Sequence, residues 1–116
     1  MTPTVNLPKR PRRGEVWMMP TADGEKSHLI ISNNRMNEAV SYPFIHVIWM
    51  GTNLTRVRFA EHVVLGAGDH PLVGFVDCST LRRATKTHLV RRFGALTPGT
   101  MTRVEDGIRV ALGFER

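Results

Sequence analysis

Residues 74–98 read GFVDCSTLRRATKTHLVRRFGALTP, and the rest of the chain is organised around this stretch. It starts as an apolar strand, continues into the small polar side chains of residues 78–80, and ends in Leu-Thr-Pro, which signals the start of a helix. No Asp or Glu occurs from residue 78 to residue 104, so this part of the chain suits a polyanion; the alternative is a solvated basic face at a sheet edge. Its cations up to residue 98 are Arg82, Arg83, Lys86, Arg91 and Arg92.

The bulk composition is that of one globular domain. A chain of 116 residues with 41% hydrophobic and 22% charged residues buries enough surface to fold without disulfides. The single cysteine, Cys78, excludes an internal disulfide and fits a reducing, cytoplasmic compartment. No apolar run reaches the roughly 18 residues of a membrane span, and no apolar core follows the cationic N-terminus as in a secretory signal. We therefore expect a cytoplasmic protein with no membrane contact.

The net charge of +6 is concentrated at the two ends of the chain. Residues 1–13 contribute +4, residues 14–77 contribute −3, and residues 78–116 contribute +5. With a pI near 10.7, nucleic acid is the first partner to consider and an anionic membrane surface is the second.

Turn signals and apolar runs predict a β-rich fold. Residues 1–12 hold three of the seven prolines and are expected to form a flexible basic tail, followed by a single domain over residues 13–116. Pro20 is expected to end the first strand, and Asp23-Gly24 is expected to form a hairpin turn before the second. The predicted strands are residues 15–19, 27–32, 44–50, 57–65, 73–78 and 89–96.

The last element is predicted to be a helix with defined ends. Thr97 is a typical N-cap, Pro98 fits the first helical position, and Gly113 is typical of a helix stop. Gly107 is unfavourable inside a helix, so we expect it to mark close packing. The predicted fold class is mainly β with a C-terminal helix that closes a curled, mostly antiparallel sheet.

Spacing alone gives no catalytic motif. The five histidines are scattered, the cysteine stands alone, and there is neither a phosphate-binding glycine loop nor a nucleophile elbow. We expect no metal and no cofactor.

The order of several short motifs resembles one known family. Residues 12–17 (RRGEVW) resemble the opening of the MazF/PemK/Kid toxins, and residues 28–34 (HLIISNN) resemble their apolar second strand with its Asn pair. Residues 81–89 resemble the family's Ile-Arg-Thr-Ile-Asp-Lys-x-x-Leu segment. Residues 93–98 (FGALTP) resemble the start of its last helix, and residues 111–113 resemble the end of that helix.

This resemblance implies an SH3-like small barrel of the MazF/PemK/CcdB type, a homodimer and the toxin of a toxin–antitoxin pair. It implies a metal-independent endoribonuclease that cuts single-stranded RNA by attack of the 2′-hydroxyl, with a cognate antitoxin as partner. Unpaired RNA suits such a site, because its bases splay and its 2′-hydroxyl is available. The same barrel occurs in CcdB-type gyrase inhibitors, so the alternative is a non-catalytic module that binds RNA, an antitoxin or a gyrase-type target.

Three positions depart from the family's motifs. Lys26-Ser27 stands where the family usually has Arg-Pro, which keeps the charge but loses the planar grip of arginine on phosphate. Gly51-Thr52 stands where the family has a Thr-Ser pair, so one hydroxyl is missing. Residues 79–80 (Ser-Thr) replace Asp-Gln, so a carboxylate that serves as a base in some relatives is absent there.

The candidate site residues follow from the resemblance and from the strand alternation. Lys26 and Arg82 are expected to hold the phosphate, with Thr52 and Ser79 as hydroxyl donors. Asp77 and His28 are alternative bases, because each is two residues from one of these candidates and so shares its strand face. The alternatives are a surface lysine, a solvated or dimer-interface arginine, satisfied strand-end hydroxyls and a packed histidine. The predicted RNA contacts are Arg83, Lys86, Asn34 and Arg35.

Overall fold

The first two strands form the predicted hairpin, but its loop is Ala22-Asp23 and not Asp23-Gly24, because Gly24 already begins the second strand. Thr21 pairs with Gly24 across a two-residue loop, and Gly24 has a φ of +100°, which glycine adopts without steric cost. Pro20 does not end the first strand, which continues to Thr21. The seventh strand pairs with the first only as far as Met18, so Pro20 lies at an edge, where its missing N–H breaks no ladder.

The computed structural model describes residues 9–114 and has seven strands and two helices in this range. The predicted class, mainly β with a C-terminal helix, is confirmed. The helices are Asn34–Glu38 (α1) and Pro98–Leu112 (α2). The strands are Glu15–Thr21 (β1), Gly24–Ile30 (β2), Phe44–Gly51 (β3), His62–Val64 (β4), Phe75–Asp77 (β5), Arg82–Thr85 (β6) and Arg91–Ala95 (β7).

All strand pairings are antiparallel, and β3 is the hub of the sheet. The order is β4-β5-β3-β2-β1-β7, and β6 also pairs with β3. One edge of β3 pairs with β2, while its other edge pairs with β6 over Phe44–Val47 and with β5 over Met50–Gly51. Along this second edge the partner of β3 therefore changes from β6 to β5 between Val47 and Met50.

The strand predictions were wrong at several boundaries. β6 was not predicted, because only Ala84 of its four residues is buried and its arginines do not resemble a core strand. The fourth strand is shorter than predicted, since a short 3₁₀ turn at Leu54–Arg56 and irregular chain precede it. The fifth ends at Asp77, where the chain turns over Cys78–Thr80.

Two apolar clusters lie on opposite faces of the sheet. Leu29 belongs to the cluster beneath α2, with Val16, Ile48 and Val104. Ile30 belongs to the second cluster, whose other members are Trp17, Met19, Ile45, Val47, Ala84 and Leu89. β2 is therefore buried on both faces, as its continuous apolar run predicts.

The ends of α2 are as predicted. The Thr97 side chain accepts from the N–H of Thr100, Pro98 is the first helical residue, and Gly113 is left-handed with a φ of +76°. Gly107 is buried, and a Cβ there would lie 2.8 Å from Sγ of Cys78, so the predicted close packing is confirmed. This contact sets α2 against the turn that follows β5.

The predicted basic tail is described only in part, because residues 1–8 lie outside the described residues. Within the rest, the N–H of Arg12 donates to Oε1 of Glu15 at 2.7 Å, and its guanidinium pairs with Glu38. Pro11 is buried. Ordered contacts thus begin before residue 13. No helix in the described range has both the length and the apolarity needed to cross a membrane.

Candidate active site

A groove of about 540 Å³ lies on the same face of the sheet as the second apolar cluster. The β1–β2 hairpin contributes Thr21, Asp23, Lys26 and His28 to it. The end of β3 and the turn after it contribute Trp49, Thr52, Asn53 and Arg56, and β5 and β6 contribute Phe75 and Arg82.

Strand alternation explains why these side chains meet. Lys26 and His28 are two and four residues before Ile30, whose side chain lies in the second cluster, so all three share a face. Trp49 follows Val47 on that face of β3, and Arg82 precedes Ala84 on that face of β6. Of the six predicted catalytic residues, Lys26, His28, Thr52 and Arg82 line the groove.

His28 is buried beneath Arg82. The ring is 1% exposed; its Nδ1 lies 3.0 Å from the carbonyl oxygen of Lys26, and its Nε2 lies 3.5 Å from Nη2 of Arg82. Because a guanidinium only donates, a neutral ring with its proton on Nδ1 satisfies both contacts. Burial lowers the pKa of His28, the Lys26 carbonyl partly opposes this, and the charge of Arg82 lowers it further. His28 is therefore both the packed histidine that the alternative described and a neutral group in the groove.

The groove carries an excess of positive charge. It is lined by Lys26, Arg56 and Arg82 against one carboxylate, Asp23. Within residues 9–114, the ion pairs involve other cations and leave these three without an acid at pairing distance. Such a groove attracts an anion.

Asp77 and Ser79 do not line this groove. Oδ1 of Asp77 accepts from the N–H of Ser79 at 3.1 Å and from its hydroxyl at 2.5 Å, while Oδ2 lies 3.5 Å from Nε2 of His62. The prediction assumed that the strand continued through Ser79, but it ends at Asp77. These two residues cap a turn, and we do not retain them as catalytic candidates.

The predicted RNA contact Lys86 is a structural residue. Its side chain is 3% exposed, and its Nζ donates to the carbonyls of Met36 and Ala39 at 2.8 Å each. Burial lowers the pKa of Lys86. This lysine holds the end of α1, so its assignment to RNA is corrected.

The other three predicted contacts lie outside the groove. Asn34 begins α1 and accepts from the N–H of Arg13 at 2.7 Å, and Arg35 is exposed on the same short helix. Arg83 points to the opposite face from Arg82, and its guanidinium carbon lies 4.1 Å from the ring centroid of Phe44. The structure does not bring these three to Lys26.

Cys78 is not placed for chemistry. It is 1% exposed, and burial together with the charges of Asp77 and Glu61 raises its pKa to about 12. The thiol is therefore protonated at neutral pH. Among residues 9–114, no three His, Cys, Asp or Glu side chains are grouped as a metal site.

The comparison with protein families matches most of the chain. The family of PemK-like, MazF-like toxins of type II toxin–antitoxin systems matches residues 12–112.

The chain belongs to this PemK/MazF-like family.

Similar proteins bear endoribonuclease names. The chain is 31% identical over 104 residues to Endoribonuclease MazF1 of Mycobacterium bovis and to Endoribonuclease MazF4 of Mycobacterium tuberculosis, covering 90% of this chain and 94% of each relative. A solved mycobacterial endoribonuclease in complex with its cognate antitoxin is 29% identical with a TM-score of 0.82, covering 91% of this chain and 98% of that one. MazF from the MazE–MazF complex of Deinococcus radiodurans, at 15% identity and a TM-score of 0.75, shows the fold alone; the match covers 90% of this chain and 97% of that chain. The expected MazF/PemK-type fold is confirmed.

The departures from the PemK/MazF-like motifs have different places in the structure. Lys26 lines the groove, and Gly51 ends β3 beside it. Thr80, in the pair that replaces Asp-Gln, accepts from the N–H of Trp49 and donates to the carbonyl of Asp77, both at 2.8 Å. It holds the edge of β3 between β6 and β5.

Sequence reasoning did not predict six of the lining residues, namely Thr21, Asp23, Trp49, Asn53, Arg56 and Phe75. The turn that carries Asn53 and Arg56 lies between the predicted third and fourth strands, where no element was predicted. The one available signal for these residues was Gly51. A glycine at the end of an apolar strand often marks a site where a ligand or another backbone segment approaches the strand closely.

Proposed function

We propose that this chain is the toxin of a type II toxin–antitoxin pair and an endoribonuclease that cleaves single-stranded RNA in the groove between Lys26 and Arg82. The observation that carries this proposal is the convergence of three cations without acidic partners on one groove above a buried, neutral histidine. Membership of the PemK/MazF-like family and the endoribonuclease names of its relatives support it.

The reaction is a transesterification at phosphorus. The 2′-oxygen of one nucleotide forms a bond to the adjacent phosphorus, and the bond from phosphorus to the 5′-oxygen of the next nucleotide breaks. The products are a 2′,3′-cyclic phosphate and a 5′-hydroxyl. Lys26 and Arg82 bind the phosphate oxygens as their negative charge grows, and the Thr52 hydroxyl donates a further hydrogen bond.

His28 and Lys26 carry the protons. The 3.5 Å contact between His28 and Arg82 is at the limit of a hydrogen bond, so a phosphate that draws Arg82 outward frees Nε2. That nitrogen then accepts the proton of the 2′-hydroxyl, because the lowered pKa keeps the ring neutral. Lys26 donates a proton to the leaving 5′-oxygen.

The proposed toxin is a cytoplasmic homodimer that is inhibited by an antitoxin. A homodimer, a cytoplasmic location and a single barrel domain over residues 13–116 after a basic tail fit a toxin of this size. Arg83, Arg35 and Asn34 are proposed as RNA contacts outside the groove. The proposed partner is a cognate antitoxin, as in the mycobacterial complex, and a small acidic neighbouring reading frame with a DNA-binding N-terminus is its expected signature.

The test is incubation of the purified protein with a long single-stranded RNA, with and without a chelator, followed by mapping of the new ends. Cuts with 5′-hydroxyl ends in both samples support the proposal, and cuts only without chelator overturn its metal independence. RNA that stays intact at high protein concentration overturns the nuclease. That result would favour the second candidate, a non-catalytic module that binds RNA, an antitoxin or a gyrase-type target, which the loss of the family's Arg-Pro and Asp-Gln motivates.

A further inference from the structure

Gly51 leaves room for an aromatic pair at the end of β3. A Cβ at this position would lie 2.6 Å from Cη2 of Trp49 and 2.7 and 2.8 Å from two ring atoms of Phe75. The two rings occupy the space that a side chain at this position would need, so the end of β3 presents an apolar surface to the groove.

The pair is ordered by its own packing. The ring centroids of Trp49 and Phe75 are 5.8 Å apart with planes at 82°, an edge-to-face contact. Phe75 is 1% exposed and pairs with Gly51 across the strands, so it is fixed. Trp49 is half-buried and lines the groove. A fixed ring therefore supports a tryptophan that remains accessible from the groove.

A cation and an amide lie on the turn that follows. Oδ1 of Asn53 accepts from the N–H and hydroxyl of Thr55 at 3.2 and 2.6 Å, which fixes the 3₁₀ turn and leaves the amide N–H groups of Asn53 free to donate. Arg56 ends this turn and is exposed. Both residues line the groove beside Trp49.

We propose that Trp49, Arg56 and Asn53 form a nucleotide subsite next to the phosphate held by Lys26 and Arg82. The indole of Trp49 stacks on one nucleobase, the amide of Asn53 donates to that base, and Arg56 binds the phosphate on its far side. The inference rests on the proposed function, because it assumes that the strand in the groove is single-stranded RNA.

A nucleobase fits this subsite better than a protein side chain. Aromatic platforms that alternate with cations are the pattern of single-strand binding, where bases stack and phosphates lie against positive charge. Trp49 lines the same groove as Lys26, Arg56 and Arg82, so an aromatic ring and several cations are available to one strand. Stacking on an aromatic side chain is worth about tenfold or more in affinity.

The chain offers a direct spectroscopic test because it has only two tryptophans. The Trp17→Phe variant keeps Trp49 as its only indole, and Trp49→Phe keeps Trp17, which is 9% exposed and outside the groove. Each is titrated with a mixed-sequence oligodeoxynucleotide, which has no 2′-hydroxyl to react, and with an abasic strand of equal length. Binding is followed by anisotropy and stacking by quenching of tryptophan emission.

The expected result is quenching in Trp17→Phe by the strand with bases, no quenching by the abasic strand, and no quenching in Trp49→Phe. Binding of the strand with bases without quenching, or equal quenching by both strands, overturns the subsite. Quenching by a cognate antitoxin but not by the oligodeoxynucleotide would assign the Trp49 surface to a protein partner. That result would also overturn the nucleotide subsite. RNA cleavage is scored separately, so wild-type cleavage without quenching removes the subsite alone, whereas quenching without cleavage removes the nuclease alone.

The phosphate contact has its own matched pair of variants. Arg56→Ala is expected to reduce the slope of log affinity against log salt by about 0.7, the value for one phosphate on a single strand. Arg58→Ala removes an equal charge two residues away from an exposed side chain that does not line the groove, and its slope is expected to stay unchanged. Equal slopes in the two variants would remove Arg56 from the subsite.

Discussion

Nε2 of His28 lies 3.5 Å from Nη2 of Arg82, and the two side chains come from strands that are not neighbours in the sheet. β2 and β6 flank β3 on either side, so this contact bridges the groove floor across β3. It places a neutral ring under the Arg82 guanidinium. A phosphate that binds Arg82 therefore changes the surroundings of His28 at the same time.

Lys26→Ala is expected to lower the cleavage rate by about 100-fold or more, because a cation that faces the developing charge on phosphate is lost. Lys26→Arg keeps the charge that binds phosphate, but a guanidinium does not release a proton to the leaving oxygen, so we expect it to bind RNA and to cleave it more slowly than the wild type. The measurement is the initial rate of cleavage of a labelled single-stranded RNA. Arg58→Ala serves as a charge-matched control. A Lys26→Ala rate within about threefold of the wild-type rate would contradict the role of Lys26 in stabilising the transition state.

His28→Gln is expected to change both activity and the pH dependence of stability. The pKa of His28 is lowered from 6.5 in the folded protein, so below that pH the unfolded chain takes up a proton that the folded chain resists. The stability that His28 contributes is thus present above pH 6.5 and is lost as the pH falls through the lowered folded pKa. Urea midpoints at about pH 7.5 and about pH 5 are expected to differ less in His28→Gln than in the wild type.

Every other residue is the same in both proteins, so the difference between the two pH dependences isolates His28. An unchanged pH dependence in the variant would mean that His28 is protonated as easily when folded as when unfolded. If stability behaves as expected but RNA is cut at the wild-type rate, His28 is only a packed residue and the proton acceptor lies elsewhere.

Much of the fold was predictable because its signals are local. The β1–β2 hairpin, the Thr97 cap and the Gly113 stop each depend on the backbone preference of one or two residues. β6 was not predictable in this way, because it forms through pairing with β3 and buries only Ala84. Its identity as a strand is a consequence of the tertiary structure.

The site was predictable where alternation along one strand decides it and not where the chain turns. Lys26 and His28 share a face because β2 is regular. Ser79 was misplaced because β5 ends at Asp77 and the chain then turns, so strand alternation does not extend to Ser79. The role of Lys86 was also not predictable from the sequence, where it is one cation in a basic run. Its Nζ donates to two carbonyls at the end of α1, and this contact depends on the packing of α1 against Lys86 in the folded protein.

Lys86→Met is expected to lower the free energy of unfolding by about 1–3 kcal/mol, because two carbonyls lose a charged donor. It is not expected to change the salt dependence of RNA binding, since the ammonium is buried. Arg82→Ala is expected to do the reverse, with a reduced salt slope and little change in stability. Measured together by urea denaturation and by anisotropy, the two variants separate a structural cation from a binding one. A reduced salt slope in Lys86→Met would restore it as an RNA contact.

Asp69→Asn is expected to cost about 1–3 kcal/mol at neutral pH, because charged hydrogen bonds are lost. Oδ1 accepts from the N–H of Thr97 at 2.8 Å, and Oδ2 accepts from Gly66 and from the Thr100 hydroxyl at 2.7 and 2.6 Å. Burial alone would raise the pKa of Asp69, but these bonds outweigh it and lower the pKa below 3.8.

The contribution of Asp69 is therefore present above about pH 4 and disappears as the pH falls through the lowered pKa. The check is a series of thermal or urea unfolding curves between about pH 7 and pH 2 for both proteins. The gap between wild type and Asp69→Asn is expected to close in acid. A gap that stays constant over the whole range would show that the charge of Asp69 is not what stabilises the start of α2.

Gly107→Ala is expected to destabilise the protein by about 1–3 kcal/mol through overpacking, because the added Cβ would lie 2.8 Å from Sγ of Cys78 and 3.2 Å from Cγ2 of Val63. Gly99→Ala is the matched control in the first turn of the same helix; nothing lies within 4 Å of its Cβ, so it is expected to be neutral or slightly stabilising. Cys78→Ala removes the sulfur that stands in the way. The double variant Gly107→Ala/Cys78→Ala is then expected to be more stable than the sum of the two single changes, with a coupling of about 1 kcal/mol or more by urea denaturation. Additive effects would mean that Val63 or a shift of α2, and not the contact with Cys78, sets the requirement for glycine at this position.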